Sequence, residues 1–174
     1  MRDVSQGATI WLTGLPSSGK TTLAYALEKK FIEAGQLVEV LDSDVIRRGL
    51  TSDLGLSPED RRTNVARIGF VADLLSRNGV VALAPVIAPY RDARDAVREL
   101  HGDRFVEVHI ATPVELCAER DVKGLYALQR EGKLTGLTGV DDPYEEPLHP
   151  EVTLDTSGMT LDESVEVLWQ ALHR

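Results

Sequence analysis

Residues 14–21 combine glycines, a lysine and a hydroxyl in the order G-x-x-x-x-G-K-T. This spacing is typical of a P-loop, in which backbone N–H groups surround the phosphates of a nucleoside triphosphate. Lys20 can then reach the β- and γ-phosphates, and the hydroxyl of Thr21 can hold Mg²⁺. A glycine-rich turn that binds nothing is the alternative. We expect the triphosphate to be held by Gly14, Leu15, Pro16, Ser17, Ser18, Gly19, Lys20, Thr21 and Thr22.

Two carboxylates, Asp42 and Asp44, follow a second apolar stretch at residues 37–41. P-loop enzymes usually hold Mg²⁺ through the P-loop hydroxyl and an acid at the end of another strand. Since the apolar stretch 80–84 offers no carboxylate, these two acids must supply that function. On a turning loop one can face the metal and the other an incoming hydroxyl. A solvated acidic turn with Asp42 as a helix cap is the alternative.

Several arginines accompany these acids, namely Arg47, Arg48, Arg61, Arg62, Arg67, Arg91 and Arg94. In a chain of net charge −9, such a cluster near the ligand edge indicates an anionic second substrate. We expect Arg62, Arg67 and Arg94 to be helix-surface residues that pair with neighbouring acids. The guanine-specifying motif [NT]-K-x-D does not occur, which argues against a GTPase.

The elements that must position these residues alternate between strands and helices. Apolar stretches predict strands at 8–12, 37–41, 80–84, 105–110 and 152–154. Helices are predicted at 21–34, from Ser57 to Asn78, at 91–100, after Pro113, and after a capping box at Thr160–Glu163. This order predicts an α/β fold with a doubly wound, mostly parallel five-stranded sheet, whose ligands lie beyond the carboxyl ends of the strands.

The stretch from Arg120 to Pro147 shows no strand pattern and is spaced by Gly124, Gly132, Gly136 and Gly139. A segment of this length is usually functional or disordered. Its first half is basic, through Arg120, Lys123, Arg130 and Lys133, which suits closure over phosphates and exclusion of water. We therefore expect a lid at about residues 121–147 rather than a plain exposed loop.

Length and composition bound the class of protein. The 174 residues predict a single domain over 1–174. The balance of 19 basic and 28 acidic residues argues against nucleic acid or an anionic membrane as a partner. No signal peptide or transmembrane run appears, and the single cysteine, Cys117, favours a reducing cytoplasm and a buried structural thiol. The four histidines match no metal-ligand spacing.

Taken together, these motifs resemble the adenylylsulfate (APS) kinase family, a group of P-loop kinases. The matching stretches span nearly the whole chain: 14–22, 41–47, 53–57 with Asp60, Arg61 and Asn64, 89–91 with Arg94, 119–126, and 137–145. The resemblance implies transfer of the γ-phosphoryl group of ATP to the 3′-hydroxyl of adenosine 5′-phosphosulfate (APS), giving PAPS and ADP. Such a reaction depends mainly on positioning and charge stabilisation.

The resemblance also implies individual roles. Lys20 would stabilise the transferred phosphoryl group, Asp44 would orient or deprotonate the ribose hydroxyl, and Thr21 and Asp42 would hold Mg²⁺. Arg120 would lie beside the ATP base, with Lys123 and Arg130 on the phosphate side of the lid. The implied substrate-binding set is Asp44, Arg47, Leu56, Arg61, Asn64, Arg91, Leu137 and Val140. Family members are commonly homodimers.

The sequence departs from the family pattern at four positions. Ala88 replaces a serine, so a phosphoserine intermediate there is impossible and direct in-line transfer is expected. Ser43 replaces a glycine between the two aspartates. Leu56 and Leu137 replace phenylalanines that sandwich the APS adenine. A related kinase acting on another nucleotide-linked anion, such as a cytidine diphosphate derivative, is therefore one alternative, and a non-catalytic nucleotide-binding domain is another.

Overall fold

The computed structural model describes residues 3–173 and contains a five-stranded sheet flanked by helices. The strands are β1 (Ala8–Gly14), β2 (Val38–Val40), β3 (Val81–Pro85), β4 (Phe105–Ile110) and β5 (Val152–Leu154). The helices are α1 (Lys20–Glu33), α2 (Ser43–Arg48), α3 (Pro58–Ser76), α4 (Arg91–His101), α5 (Val114–Arg120), α6 (Leu125–Arg130) and α7 (Leu161–Leu172). Short 3₁₀ helices lie at Val4–Gln6 and Gly102–Arg104.

The strand order is β2-β3-β1-β4-β5, and every pairing is parallel. The predicted doubly wound parallel sheet is therefore confirmed. β1 is the central strand, and its register sets Trp11 beside Ala84 of β3 and Glu107 of β4. Because β1 is buried along its whole length, it consists mainly of apolar residues rather than an alternating pattern.

Two apolar cores cover the two faces of the sheet. On one face Ile10 and Leu12 of β1 pack with Phe31 of α1 and Leu168 of α7. On the other face Trp11 packs with residues of α3 and α4, among them Ile68 and Val97. Alternate residues of one strand thus serve opposite cores, which fixes the register of β1. Cys117 is buried in a third, smaller cluster, as expected of a structural thiol.

Two short helices, α2 and α6, were not predicted. Each has six residues, too few for a hydrophobic period to appear. A single aspartate caps each one: Asp42 accepts a hydrogen bond from the backbone of Asp44 at the start of α2. Asp121 accepts hydrogen bonds from the backbone N–H groups of Tyr126 and Ala127 in α6. Within residues 3–173, no helix is both long and apolar enough to cross a membrane.

Candidate active site

The P-loop leaves the central strand at Gly14 and enters α1 at Lys20. Ser17 and Gly19 both have positive φ angles, of 61° and 96°, which turns successive peptide groups of the loop. Gly14 is required by space, because a Cβ there would lie 2.6 Å from the carbonyl oxygen of Ile110 on β4. The loop therefore presents its backbone at the N-terminus of a 14-residue helix, whose positive end favours phosphate.

Lys20 is buried within this loop. Its Nζ donates hydrogen bonds to the carbonyl oxygen of Leu15 at 2.6 Å and to Oγ of Ser18 at 3.2 Å. The pKa of Lys20 is lowered to about 7, mainly by burial and to a smaller extent by the nearby charge of Lys123, while Cys117 opposes the shift. An anion at the loop would favour the charged form of the lysine and oppose this shift. The free energy of phosphate binding is therefore coupled to protonation of Lys20.

Arg120 lies beside the P-loop, at the end of α5. Its Nη1 donates to Oγ1 of Thr156 at 3.1 Å, in the loop after β5, and lies 3.5 Å from the carbonyl oxygen of Ser18. Oγ1 of Thr112 also donates to that carbonyl and shares a hydrogen bond of 2.7 Å with Thr156. Three loops therefore meet at the P-loop. Thr112 and Thr156 were missed as candidate residues, since isolated threonines at strand ends carry no sequence signal.

The first part of the 121–147 segment lies against the P-loop. The backbone N–H of Val122 donates to Oγ of Ser17 at 3.1 Å, and the hydroxyl of Tyr126 donates to the carbonyl oxygen of Pro16 at 2.9 Å. Arg130 is different: it lines a separate groove with Gln129 and other residues of α5 and α6. The structure therefore brings Arg120 and Lys123 to the phosphate site and leaves Arg130 away from it.

The two candidate acids take different positions. Asp44 forms an ion pair with Lys123, whose Nζ lies 2.8 Å from Oδ1 and 2.6 Å from Oδ2. Asp44 also lines a cavity next to the P-loop. Asp42 does not line that cavity. Its Oδ1 caps α2, and its Oδ2 accepts a hydrogen bond of 3.0 Å from the hydroxyl of Tyr25. The expectation that both acids share one pocket is therefore met by Asp44 alone.

Tyr25 was missed by the sequence analysis. It lies four residues after Thr21 on α1 and therefore on the same helix face, which is the only sequence signal that could have indicated it. Its hydrogen bond orients the Asp42 carboxylate beside the N-terminal half of α1.

The donor set of Thr21 and Asp42 suits Mg²⁺, which prefers oxygen ligands. Among residues 3–173, no group of three or more His, Cys, Asp or Glu side chains could hold a metal by itself. Mg²⁺ in nucleotide enzymes is commonly held by one or two protein oxygens together with phosphates and water. A hydroxyl and one oriented carboxylate therefore fit the ion that the P-loop chemistry implies.

A cavity of about 270 Å³ adjoins the P-loop. It lies between α2, α3, the turn after β3 and the 121–147 segment. The structure brings six of the predicted substrate-binding residues to its wall: Asp44, Arg47, Leu56, Arg61, Asn64 and Leu137. They come from four separate parts of the chain, and all lie at the carboxyl edge of the sheet, where ligands of such folds bind.

Asn64 and Arg47 provide polar groups in this wall. Asn64 is only 5% exposed, and its Oδ1 has no hydrogen-bond partner within residues 3–173. A buried acceptor of this kind costs free energy unless a ligand donor reaches it. Nη1 of Arg47 donates to the carbonyl oxygen of Gly55 at 3.1 Å, which holds the guanidinium at the cavity.

Arg61 is already engaged by the 121–147 segment. Its Nη1 donates to Oγ1 of Thr138 and its Nη2 to the carbonyl oxygen of Gly136, both at 2.8 Å. Nη2 also lies 3.2 Å from Oδ2 of Asp142. Arg61 therefore joins α3 to the segment, and its contact with an anionic substrate remains a prediction.

The two leucines at the cavity differ in environment. The side chain of Leu137 is 5% exposed and packs in the cluster with Cys117 and Tyr126. Leu56 is 61% exposed, on the opposite element of the cavity wall. Leu56 therefore has much more open space around its side chain than Leu137.

Two predicted substrate residues lie elsewhere. Arg91 donates from Nε and Nη2 to the carbonyl oxygen of Glu146. Val140 lines a second cavity of about 530 Å³, together with His109 and Tyr144, on the other side of the segment. This second cavity is larger than the first, but Asp44 and Lys123 line only the smaller one, which is therefore the candidate acceptor cavity.

The surface arginines were predicted partly correctly. Arg62 pairs with Asp92, and Arg67 pairs with Asp53, as expected of exposed helix residues. Arg94 also pairs with an acid, Glu107, but its predicted surface position was wrong, because its side chain is only 1% exposed.

Comparison with known proteins gives a consistent result. The profile of the adenylylsulphate kinase family matches residues 6–155. The adenylyl-sulfate kinase of Rippkaea orientalis is 57% identical over 167 residues, which cover 96% of this chain and 92% of that protein.

Solved structures agree. The APS kinase of Mycobacterium tuberculosis, solved in complex with AMPPNP and APS, superposes with a TM-score of 0.92 at 40% identity, covering 97% of this chain and 99% of that one. The hexameric APS kinase of Thiobacillus denitrificans superposes with a TM-score of 0.73 at 37% identity, covering 97% of this chain and 29% of that one. A central P-loop, an adjoining cavity and full-length similarity thus lead to one conclusion: the chain belongs to the adenylylsulphate kinase family.

Proposed function

We propose that this enzyme transfers the γ-phosphoryl group of ATP to the 3′-hydroxyl of APS, giving PAPS and ADP. The observation that carries the proposal is the position of Asp44, which lines the acceptor cavity and is bound by Lys123 of the segment that covers the P-loop. A carboxylate at this boundary can meet an acceptor hydroxyl beside a bound triphosphate.

The reaction follows from these positions. The 3′-oxygen of APS attacks the γ-phosphorus, the bond between that phosphorus and the β–γ bridging oxygen breaks, and the electron pair leaves with ADP. Asp44 accepts the proton of the 3′-hydroxyl, while Lys20 stabilises charge on the transferred group. Ala88, which lines the same cavity, has no hydroxyl, so a covalent phosphoserine at this position is excluded and transfer is direct.

Mg²⁺ belongs to the proposed reaction. When bound, it would neutralise phosphate charge, and Thr21 and Asp42 would be its protein ligands. The hydrogen bond from Tyr25 orients the Asp42 carboxylate for this role. The P-loop backbone, Lys20 and Arg120 would bind the nucleotide itself, and Lys123 would move from Asp44 to the phosphates when the acceptor hydroxyl takes its place.

The acceptor cavity supports a nucleotide-linked anion. Arg47 supplies positive charge, the unpartnered Oδ1 of Asn64 requires a hydrogen-bond donor such as an amino or hydroxyl group, and two leucines supply apolar contact for a base. A purine nucleoside phosphate carries a group to match each of these: an anionic phosphate, amino and hydroxyl donors, and a flat base. The expected acceptor is therefore APS, bound with its 3′-hydroxyl toward Asp44.

A coupled assay of ADP release tests this function directly. The enzyme is supplied with ATP, Mg²⁺ and either APS or a cytidine diphosphate derivative, and PAPS is identified by chromatography. We expect PAPS with APS and none in the variant Lys20→Ala. Turnover with the cytidine compound but not with APS would transfer the assignment to a different nucleotide-linked acceptor, and turnover with neither would favour a non-catalytic domain.

The enzyme is also proposed to be a homodimer. The T. denitrificans relative is described as hexameric, which supports self-association in the family without specifying a dimer. Light scattering coupled to size-exclusion chromatography measures the mass directly. A mass near twice that of the 19.1 kDa chain is expected.

A further inference from the structure

Arg94 is the most deeply buried charged side chain outside the reaction site described above. It lies on α4 and is 1% exposed. Its Nε donates to Oε1 of Glu107 on β4 at 2.9 Å, and Glu107 is itself 4% exposed. A buried charge pair is costly to form and is retained only where its hydrogen bonds are well satisfied. The other donors of Arg94 show what this pair holds.

The two remaining nitrogens of Arg94 join different parts of the acceptor site. Nη1 donates to the carbonyl oxygen of Ala88, and Nη2 donates to the carbonyl oxygen of Glu145, each at 2.5 Å. Ala88 belongs to the turn after β3 that lines the acceptor cavity, and Glu145 belongs to the end of the 121–147 segment. One planar guanidinium thus fixes the cavity wall and the covering segment relative to each other.

The turn held in this way is conformationally strained. Ala88 has a φ of 45°, a left-handed conformation that residues other than glycine rarely adopt. Three successive carbonyl groups of this turn are bonded by three separate elements. Ile87 accepts from Oγ1 of Thr13, Ala88 from Arg94, and Pro89 from the backbone N–H of Glu145. The strain persists because the surrounding structure over-determines it.

We infer that Arg94, oriented by Glu107, is a positioning residue for the acceptor substrate. It holds residues 86–89 and the end of the 121–147 segment at the separation that the acceptor cavity requires. It touches neither the P-loop nor Lys20, so its effect falls on the acceptor rather than on ATP. The kinetic test of this inference rests on the proposed function, because it uses APS as the acceptor.

The variant Arg94→Lys separates charge from geometry. A lysine keeps the positive charge beside Glu107, but its single nitrogen cannot reach the three acceptors that the forked guanidinium spans. The matched control is Arg104→Lys. Arg104 also donates to a mostly buried acid, Asp73, at 2.7 Å, but this pair joins the start of β4 to the end of α3 and lies at the opposite edge of the sheet.

Steady-state kinetics of both variants give the first readout. Arg94→Lys is expected to raise the KM for APS by about tenfold or more, because small displacements of a substrate wall are costly. The KM for ATP should stay within about twofold of the wild-type value, because Arg94 does not contact the P-loop. General damage to the fold would instead change the KM values for both APS and ATP. Arg104→Lys should leave the ratio of the two KM values unchanged. An equal change of both KM values in Arg94→Lys, or no change, overturns the inference.

Hydrogen exchange gives a second readout that needs no substrate. In Arg94→Lys the amide of Glu145 should exchange faster than in the wild type, while amides of α1 keep their protection. Unchanged exchange at residues 143–147 would refute the inference even if APS proved not to be the acceptor. If Arg94→Lys does not fold, Glu107→Gln serves in its place, because it keeps an acceptor for Nε but removes the charge that orients Arg94. The same increase in exchange and the same KM split are then required.

Discussion

The ammonium group of Lys123 lies 2.6 Å from Oδ2 and 2.8 Å from Oδ1 of Asp44. This pair joins the 121–147 segment to the start of α2, and so links the cover of the P-loop to the proposed base. Both side chains are more than half exposed. Since exposed ion pairs contribute about 0.2–1 kcal/mol, the pair has little weight in stability. Its importance lies in the proposed reaction, in which Lys123 leaves Asp44 for the phosphates and the acceptor hydroxyl takes its place beside Asp44.

Lys123→Ala should therefore lower activity much more than stability. Loss of a cation near the transferred phosphoryl group is expected to reduce kcat by about tenfold to a hundredfold. The thermal midpoint should change little. Lys30→Ala is the control, because Lys30 forms a comparable surface ion pair with Glu166, far down α1 from the P-loop. Equal kinetic effects in the two variants would contradict the role assigned to Lys123.

Asp44→Asn tests the proposed base. An amide keeps the size of the side chain but cannot accept the proton, so kcat should fall by about 10²- to 10⁴-fold. The KM for ATP should change little, as Asp44 lies on the acceptor side. Asp92→Asn, which removes the acid of another exposed pair, provides the reference for a purely electrostatic surface change. Wild-type turnover in Asp44→Asn would show that another group takes the proton.

The lowered pKa of Lys20 predicts how stability depends on pH. In the folded protein burial brings this pKa to about 7 from 10.5, so between these values the unfolded chain binds more protons. Stability should therefore rise as pH increases from 7 to 8.5. Burial raises the pKa of Cys117, so the thiol opposes this rise as pH approaches 8.5, where the unfolded thiol begins to ionise. Burial lowers the pKa of His101 and of His109, so the histidines add slightly to the rise near pH 7.

Urea denaturation at pH 7 and pH 8.5 measures this effect. The wild type should be more stable at the higher pH, and Lys20→Met should lose most of the difference. ADP should also reduce it, because bound phosphate favours the charged lysine. A wild-type stability that is flat or falls over this range would mean that Lys20 is not desolvated as the structure indicates.

Leu56 and Leu137 predict different outcomes for the same substitution. Leu56→Phe places a ring in open space at the acceptor cavity, and stacking on a base would strengthen binding by about 0.5–1.5 kcal/mol. Leu137→Phe instead adds volume to a packed cluster and should cost about 1–3 kcal/mol of stability. Calorimetric titration with APS and thermal unfolding test the two effects. Tighter binding from Leu137→Phe alone would reverse the assignment.

Much of the fold could be predicted because its determinants are local. Apolar stretches marked the five strands, and the glycine spacing marked the P-loop between β1 and α1. Asp44 and Arg47 could be placed near one site because parallel strands bring their carboxyl ends to one edge, whereas Asn64 was indicated only by the family resemblance. Helices α2 and α6 escaped prediction because each depends on one aspartate cap rather than on a period.

The features that could not be predicted depend on contacts distant in sequence. Arg94 lies in a helix rich in charged residues, so its burial depends on Glu107, a residue of the next strand that no local pattern connects with it. The metal role of Asp42 was proposed from the sequence, but its bond to Tyr25 could not be predicted, because it depends on how α1 packs beside β2. Arg61 carries the charge expected of a substrate ligand. The sequence did not indicate that its guanidinium nitrogens donate to Thr138 and Gly136.

The 121–147 segment touches both halves of the active site. Tyr126 bonds to the P-loop, while Leu137 lines the acceptor cavity only a short distance along the same chain. A ligand that shifts the position of this segment at one site is therefore expected to change the affinity of the other site. Thermodynamic reciprocity requires that the nucleotide alter acceptor affinity by the same factor as the acceptor alters nucleotide affinity. We therefore expect this one continuous stretch of chain to make the two substrates heterotropic effectors of each other.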